Sequence, residues 1–204
     1  MKLHIKTIVP LILLGAVLVA LGLNLSAQSP PKSNGPIFLA ENQLVRPTNY
    51  REWIWVSSGL GMTYGPREQS NIPAEPRFDN VFVTPEAYRA FMKTGKWPNK
   101  TMFVLEIRSS QSHGSINKDG HFQGDLVTIE AEVKDESRFP EKWGFFPFRG
   151  NEQTAKPAPP ATTECQSCHS RNGAVDNTFV QFYPTLLEVA KQKGTLKSPP
   201  PESK

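Results

Sequence analysis

Cys165, Cys168 and His169 are the residues whose types and spacing could do chemistry: they fall in Glu164-Cys165-Gln166-Ser167-Cys168-His169-Ser170, which holds both cysteines of the 204-residue chain. Cys-x-x-Cys-His is the attachment pattern of a c-type haem. Two thiols add across the two vinyl groups of one porphyrin, and the imidazole that follows becomes the proximal ligand of the iron. One short segment thereby supplies tether and axial ligand, with one haem c as the cofactor.

Other uses of such a pair are a structural disulfide, a thioredoxin-like redox centre and half of a zinc site. Zinc would need a second Cys/His pair at ligand spacing, and the redox motif an early βαβ pattern; the chain has neither. The histidine directly after the second cysteine separates the haem pattern from all three.

The elements that position this motif begin with an exported N-terminus. Lys2 and Lys6 precede an apolar run from Ile8 to Leu23, and Ser26-Ala27 closes it, so residues 1–27 read as a secretory signal. The run is shorter than a comfortable membrane span, which favours cleavage, whereas Leu25 is a poor residue before the cut and keeps an uncleaved inner-membrane anchor open. Export agrees with haem attachment, which bacteria complete outside the cytoplasmic membrane, so the expected location is the periplasm. Losing Lys2 and Lys6 lowers the formal charge from +4 to +2, too little to argue for nucleic acid or an acidic membrane surface.

Residues 28–40 are rich in Ser, Pro, Lys, Asn and Gly and read as a linker; 41–194 form one domain; 195–204 are a polar, proline-rich, disordered tail. Asn49 and Glu52 have capping-box spacing, and Trp53 to Val56 read as a strand. Ser57 to Pro76 reads as a long loop. Phe78 to Val83 is the next strand. Thr84-Pro85 starts a helix that Gly95 stops, with Ala87, Tyr88, Phe91 and Met92 as its apolar stripe.

Thr101 to Ile107 is a strand and Ser109 to Gly120 a flexible connection. Asp125 to Val133 alternates, with Val127, Ile129, Ala131 and Val133 on one face and Leu126, Thr128, Glu130 and Glu132 on the other. Trp143 to Phe148 is aromatic, with Pro147 placing it at an edge or bulge. Thr154 to Thr163 is a Pro/Ala linker into the cysteine motif, and a last helix runs from Pro184 to Lys193. Strands in the middle flanked by helices, without βα alternation, give an α+β class: an antiparallel sheet with helices to one side and the attachment segment packed on it.

Several stretches stand in an ordered series: Asn49-Tyr50-Arg51-Glu52-Trp53, Val81-Phe82-Val83-Thr84-Pro85-Glu86-Ala87-Tyr88 and Gly124-Asp125. Glu130-Ala131-Glu132-Val133-Lys134-Asp135, Arg138-Phe139, the cysteine motif and Phe179-Val180-Gln181-Phe182-Tyr183-Pro184 complete it. The series resembles the cytochrome P-460 family, which includes the cytochromes c′-β, over nearly all of residues 41–194. The resemblance implies a mostly β, homodimeric, periplasmic mono-haem protein with five-coordinate iron bound by His169. Enzymes of the family oxidise hydroxylamine and nitric oxide with a lysine cross-linked to the porphyrin. The c′-β members lack the cross-link and bind gases such as nitric oxide.

By offset, the cross-linking lysine falls on Leu105, which would line the distal pocket or porphyrin edge. A pocket arginine falls on Asp79, with Arg77 at the same strand parity. Glu130 matches the distal carboxylate, a proton acceptor in the enzymes. Its competing reading is a solvated strand carboxylate on the same face as Glu132. A sixth ligand could come from Met62, Met92, Met102, His113 or His121; Met92 reads as core, Met102 has the wrong parity for a pocket shared with Leu105, and both histidines sit in or beside a loop. Three functions follow: an open-site haem protein binding a small gas or nitrogen-oxide ligand, a haem oxidoreductase acting on hydroxylamine, nitric oxide or peroxide, and an electron carrier with a redox partner protein.

Overall fold

The computed structural model describes residues 34–63, 75–159 and 164–197. Residues 1–33, with the expected signal and the start of the linker, 64–74 of the long loop, 160–163 of the Pro/Ala linker and 198–204 of the tail lie outside these. Five strands form one antiparallel meander in chain order: β2 (Ile54–Leu60), β3 (Phe78–Val83), β4 (Met102–Gln111), β5 (Phe122–Lys134) and β6 (Trp143–Phe148). A two-residue ladder joins β1 (Leu44–Val45) to β7 (Thr154–Ala155). Three helices are described: α1 (Pro85–Thr94), α2 (Glu164–Asn172) and α3 (Pro184–Lys193). The architecture is α+β.

Alternation places one set of side chains on each face of the sheet, and both faces are buried. On the first, Val83, Phe103 and Phe145 pack with Ala87 and Phe91 of α1 and with Leu186, Val189 and Ala190 of α3. Trp97 packs between Phe91, tilted with ring centroids 4.1 Å apart, and Phe103, edge to face at 4.8 Å. On the second, Val104, Ile129, Ala131, Val133, Phe146 and Phe148 meet Leu44, Tyr50 and Trp53. Burying one such large apolar side chain contributes about 1.5–3 kcal/mol, so the two cores hold the sheet as a rigid floor.

The described end of the linker, 34–40, lies against the second face: Asn34 accepts from Trp53 and Asn49, and Phe38 packs on Phe139 and Phe146. At the other end Lys197 binds the carbonyls of Ala174 and Ser170.

Several elements differ from the sequence expectation. β2 continues through Ser57–Leu60, because pairing with β3 holds residues of poor strand propensity, with a bulge at Trp55/Ser57. β4 runs to Gln111 through two irregularities, shortening the connection expected from Ser109. Asn49 does not cap its 3-10 turn; its amide is engaged with Asn34. Met92 is 37% exposed, since Ala87 and Phe91 form the centre line of α1 and Met92 lies off it. Helix α1 does begin at Pro85 and stop at left-handed Gly95, and α3 spans the expected residues.

Candidate functional site

Between the first face of the sheet and α2 lies a cavity of about 580 Å³, within the range of small-molecule and cofactor sites. Asp79 and Val81 of β3, Leu105 of β4, Glu130 and Glu132 of β5 and Phe145 of β6 form its floor. Cys165, Cys168 and His169 face it from α2. They share one side of that helix because residues three and four apart lie one above another. The expected attachment residues and Leu105 and Glu130 are therefore brought together. Arg77 is exposed and is not among the lining residues; Asp79 is.

The orientation of His169 follows from its partners. Nδ1 lies 2.9 Å from the Asn177 carbonyl oxygen, which can only accept, so Nδ1 carries the hydrogen and Nε2 keeps its lone pair. Phe145 and Phe179 flank the imidazole, each with its centroid 4.4 Å away. Asn177 is placed by a tight return of chain after α2: a Cβ on Gly173 would lie 2.6 Å from the Asn177 carbonyl carbon and 2.6 Å from the His169 oxygen, so only glycine fits.

Glu132 was expected only as a companion of Glu130 on a wet face. Its Oε2 instead lies 3.2 Å from His169 Nδ1, with the side chain 13% exposed. Because the N–H is aimed at the Asn177 carbonyl, this oxygen is near enough for attraction but accepts no hydrogen bond. Burial alone would push the imidazole pKa down; Glu132, the Asn177 carbonyl and Glu130 outweigh it, and the pKa is raised. Glu130 counts as exposed because the cavity opens to solvent, yet the surrounding protein still pushes its carboxyl upward, Asp79 and Glu132 adding to the effect and His169 opposing it.

Met62 also lines the cavity, packed so closely on β2 that a Cβ on Gly59 would fall 2.2 Å from its sulfur. Met102 is buried in the other core, His113 is exposed, and His121 neighbours Glu75 and Ser110. Among the described lining residues there is no lysine. Lys100 is paired with Asp135 and is not part of the cavity wall.

The donor set fits a covalently held macrocycle. Neither thiol is in a disulfide, both are half-buried, and both share the cavity with an imidazole whose Nε2 is available. Among the described residues no group of three or more His, Cys, Asp or Glu side chains could hold a metal ion. A search of curated proteins finds no match. A family model described as Cytochrome P460 matches residues 47–180, which takes in the sheet from β2 to β6 and all of α2.

Proposed function

The chain belongs to the cytochrome P460 family and is a haem-binding cytochrome, and from that premise we propose that it carries one covalent haem c with an open distal site for a small ligand such as nitric oxide. The observation that carries this reading is the shared cavity: Cys165, Cys168 and His169 on one wall, and Val81 and Leu105 on the other, with no lysine among the described lining residues. Bound haem supplies iron with an open coordination position, where such a ligand binds.

The residues divide the work. Cys165 and Cys168 tether the porphyrin through thioethers. His169 offers Nε2, with Nδ1–H fixed on the Asn177 carbonyl. Leu105 contributes hydrocarbon where the cross-linking enzymes carry lysine, which suits a weakly polar ligand and leaves no nitrogen to attack the porphyrin edge. Glu130 retains a proton more readily than an ordinary carboxyl because burial and Asp79 disfavour its anion. Export to the periplasm and a homodimer belong to the same proposal, resting on residues 1–27 and on the family.

Met62 in the cavity wall favours a second reading, an electron carrier with thioether sulfur as sixth ligand and a redox protein as partner. One experiment separates the two. Co-expression with a c-type maturation system should give a chain heavier by one haem that survives acid-acetone extraction and is high-spin when reduced, with a spectrum shifted by nitric oxide. A low-spin ferrous spectrum would select the carrier. A red-shifted spectrum with hydroxylamine turnover would overturn the absence of a cross-link, and freely extracted haem would overturn covalent attachment.

A further inference from the structure

Two oxygens of different charge lie beside the imidazole N–H of His169: the neutral Asn177 carbonyl at 2.9 Å, which accepts it, and the Glu132 carboxylate at 3.2 Å, a competitor for the same proton. A buried carboxylate oxygen without a donor is costly. Glu132 Oε2 is in that position, and His169 Nδ1 lies 3.2 Å from it.

The rival acceptor is held by a separate device. Asp176 and Asn177 both adopt left-handed backbone, φ 45° and 64°, a conformation that needs support in residues other than glycine. Lys134 supplies it: its Nζ lies 2.6 Å from Asp176 Oδ2 and donates to the Trp97 carbonyl at 2.9 Å. Its side chain is only 10% exposed. Thr178 closes the turn, donating to the Val175 carbonyl at 2.6 Å and accepting from Trp97 Nε1 at 2.9 Å. Glu132 and Lys134 are two residues apart on β5 and so share a face of the sheet. One strand thus carries both the anion beside the imidazole and the cation that fixes its competitor.

We propose that Glu132 is a positioning residue that sets the electron density of the His169 imidazole, while the Lys134–Asp176 pair limits how far the N–H is shared with it. This rests on the reading that His169 ligates haem iron. A carboxylate draws the proton harder than a carbonyl does, so sharing with Glu132 makes the ligand more basic and favours ferric iron.

The test uses the haem-loaded full chain and two readouts, the ferrous iron–histidine stretching frequency and the one-electron midpoint potential. Glu132→Gln keeps the shape and removes the charge; the stretch should fall, and the ferrous form should gain about tenfold, a rise of about 59 mV. Asp176→Asn loosens the carbonyl and yields the N–H to Glu132, so both readouts should move the opposite way. Glu132→Asp, which keeps the charge but withdraws it, should fall between wild type and Glu132→Gln. Glu130→Gln removes an equal charge from the same cavity without touching the imidazole, and should move the potential but not the stretch. If Glu132→Gln moves the stretch no more than Glu130→Gln does, the inference is wrong. If wild type is high-spin when reduced yet shows no iron–histidine band, the haem-ligand reading itself has failed.

Discussion

Leu105 of β4 stands directly opposite Glu130 of β5, so hydrocarbon and carboxyl meet as a cross-strand pair on the cavity floor. Leucine gives Glu130 no donor, and burial and Asp79 raise its pKa above the ordinary 4.5. In the haem-loaded protein, titration of this group should appear as a pH-dependent ferric spectrum with a midpoint above 4.5, and Glu130→Gln should abolish it. The stability effect has a definite sign. A carboxyl raised on folding contributes its stability below the unfolded pKa and loses it as pH rises through the folded one. Glu130→Gln should therefore melt higher than wild type at neutral pH, with the advantage gone in acid. A spectral titration that survives the substitution would remove Glu130 from the pocket chemistry.

A second prediction concerns Met62 and Gly59. Alanine at 59 would put a methyl 2.2 Å from the thioether sulfur and 2.7 Å from Met62 Cγ. The flexible side chain must leave its place. If Met62 only lines the wall, Gly59→Ala should keep a high-spin ferrous spectrum and change the rate of nitric oxide binding. If sulfur is the sixth ligand, the same variant should turn a low-spin spectrum high-spin. Stopped-flow mixing and an absorption spectrum read both.

A third prediction lies on the opposite face, at Glu106, which is 3% exposed. Burial would raise its pKa, but Tyr50, Arg51 and Arg108 outweigh that and lower it below 4.5. Asn80 adds a hydrogen bond at 3.3 Å. A lowered folded pKa gives stability that is present above the unfolded value and lost as pH falls through the folded one. Glu106→Gln should cost about 1–3 kcal/mol near neutral pH, measured by urea unfolding. The difference from wild type should shrink on acidification, as it does for Glu130→Gln, but it has the opposite sign: a loss of stability rather than a gain.

The contrast between these two glutamates shows what could be read from the chain and what could not. Alternation along β5 correctly separated Ile129, Ala131 and Val133 from Glu130 and Glu132. Periodicity reports which side of a strand is polar, not whether that side meets water. Here it meets a cavity, because α2 covers it. Helices α1 and α3 were legible because Pro at the first turn and Gly after the last are local signals. The Asn177 carbonyl and the Lys134–Asp176 pair carry no such mark, since a backbone acceptor has no residue type and the pair joins positions 42 residues apart.

The last prediction tests Gly173, whose space is closed by backbone on two sides. A Cβ there would press on the Asn177 carbonyl carbon and the His169 oxygen, both at 2.6 Å, and main chain cannot step aside as a flexible side chain can. Gly173→Ala must push the 176–177 turn away from α2, and the displaced carbonyl is the one that accepts from His169 Nδ1. The expected cost is about 1–3 kcal/mol of stability. The iron–histidine stretch of the haem-loaded protein should shift or broaden, because the imidazole loses its fixed acceptor. Gly150→Ala is the control: its φ of +54° strains alanine, but nothing lies within 4 Å of the added methyl. That variant should lose about 1–2 kcal/mol through backbone strain while keeping the wild-type stretch. Equal stretches in both variants, at comparable loss of stability, would mean that the turn after α2 supports the fold without orienting the ligand.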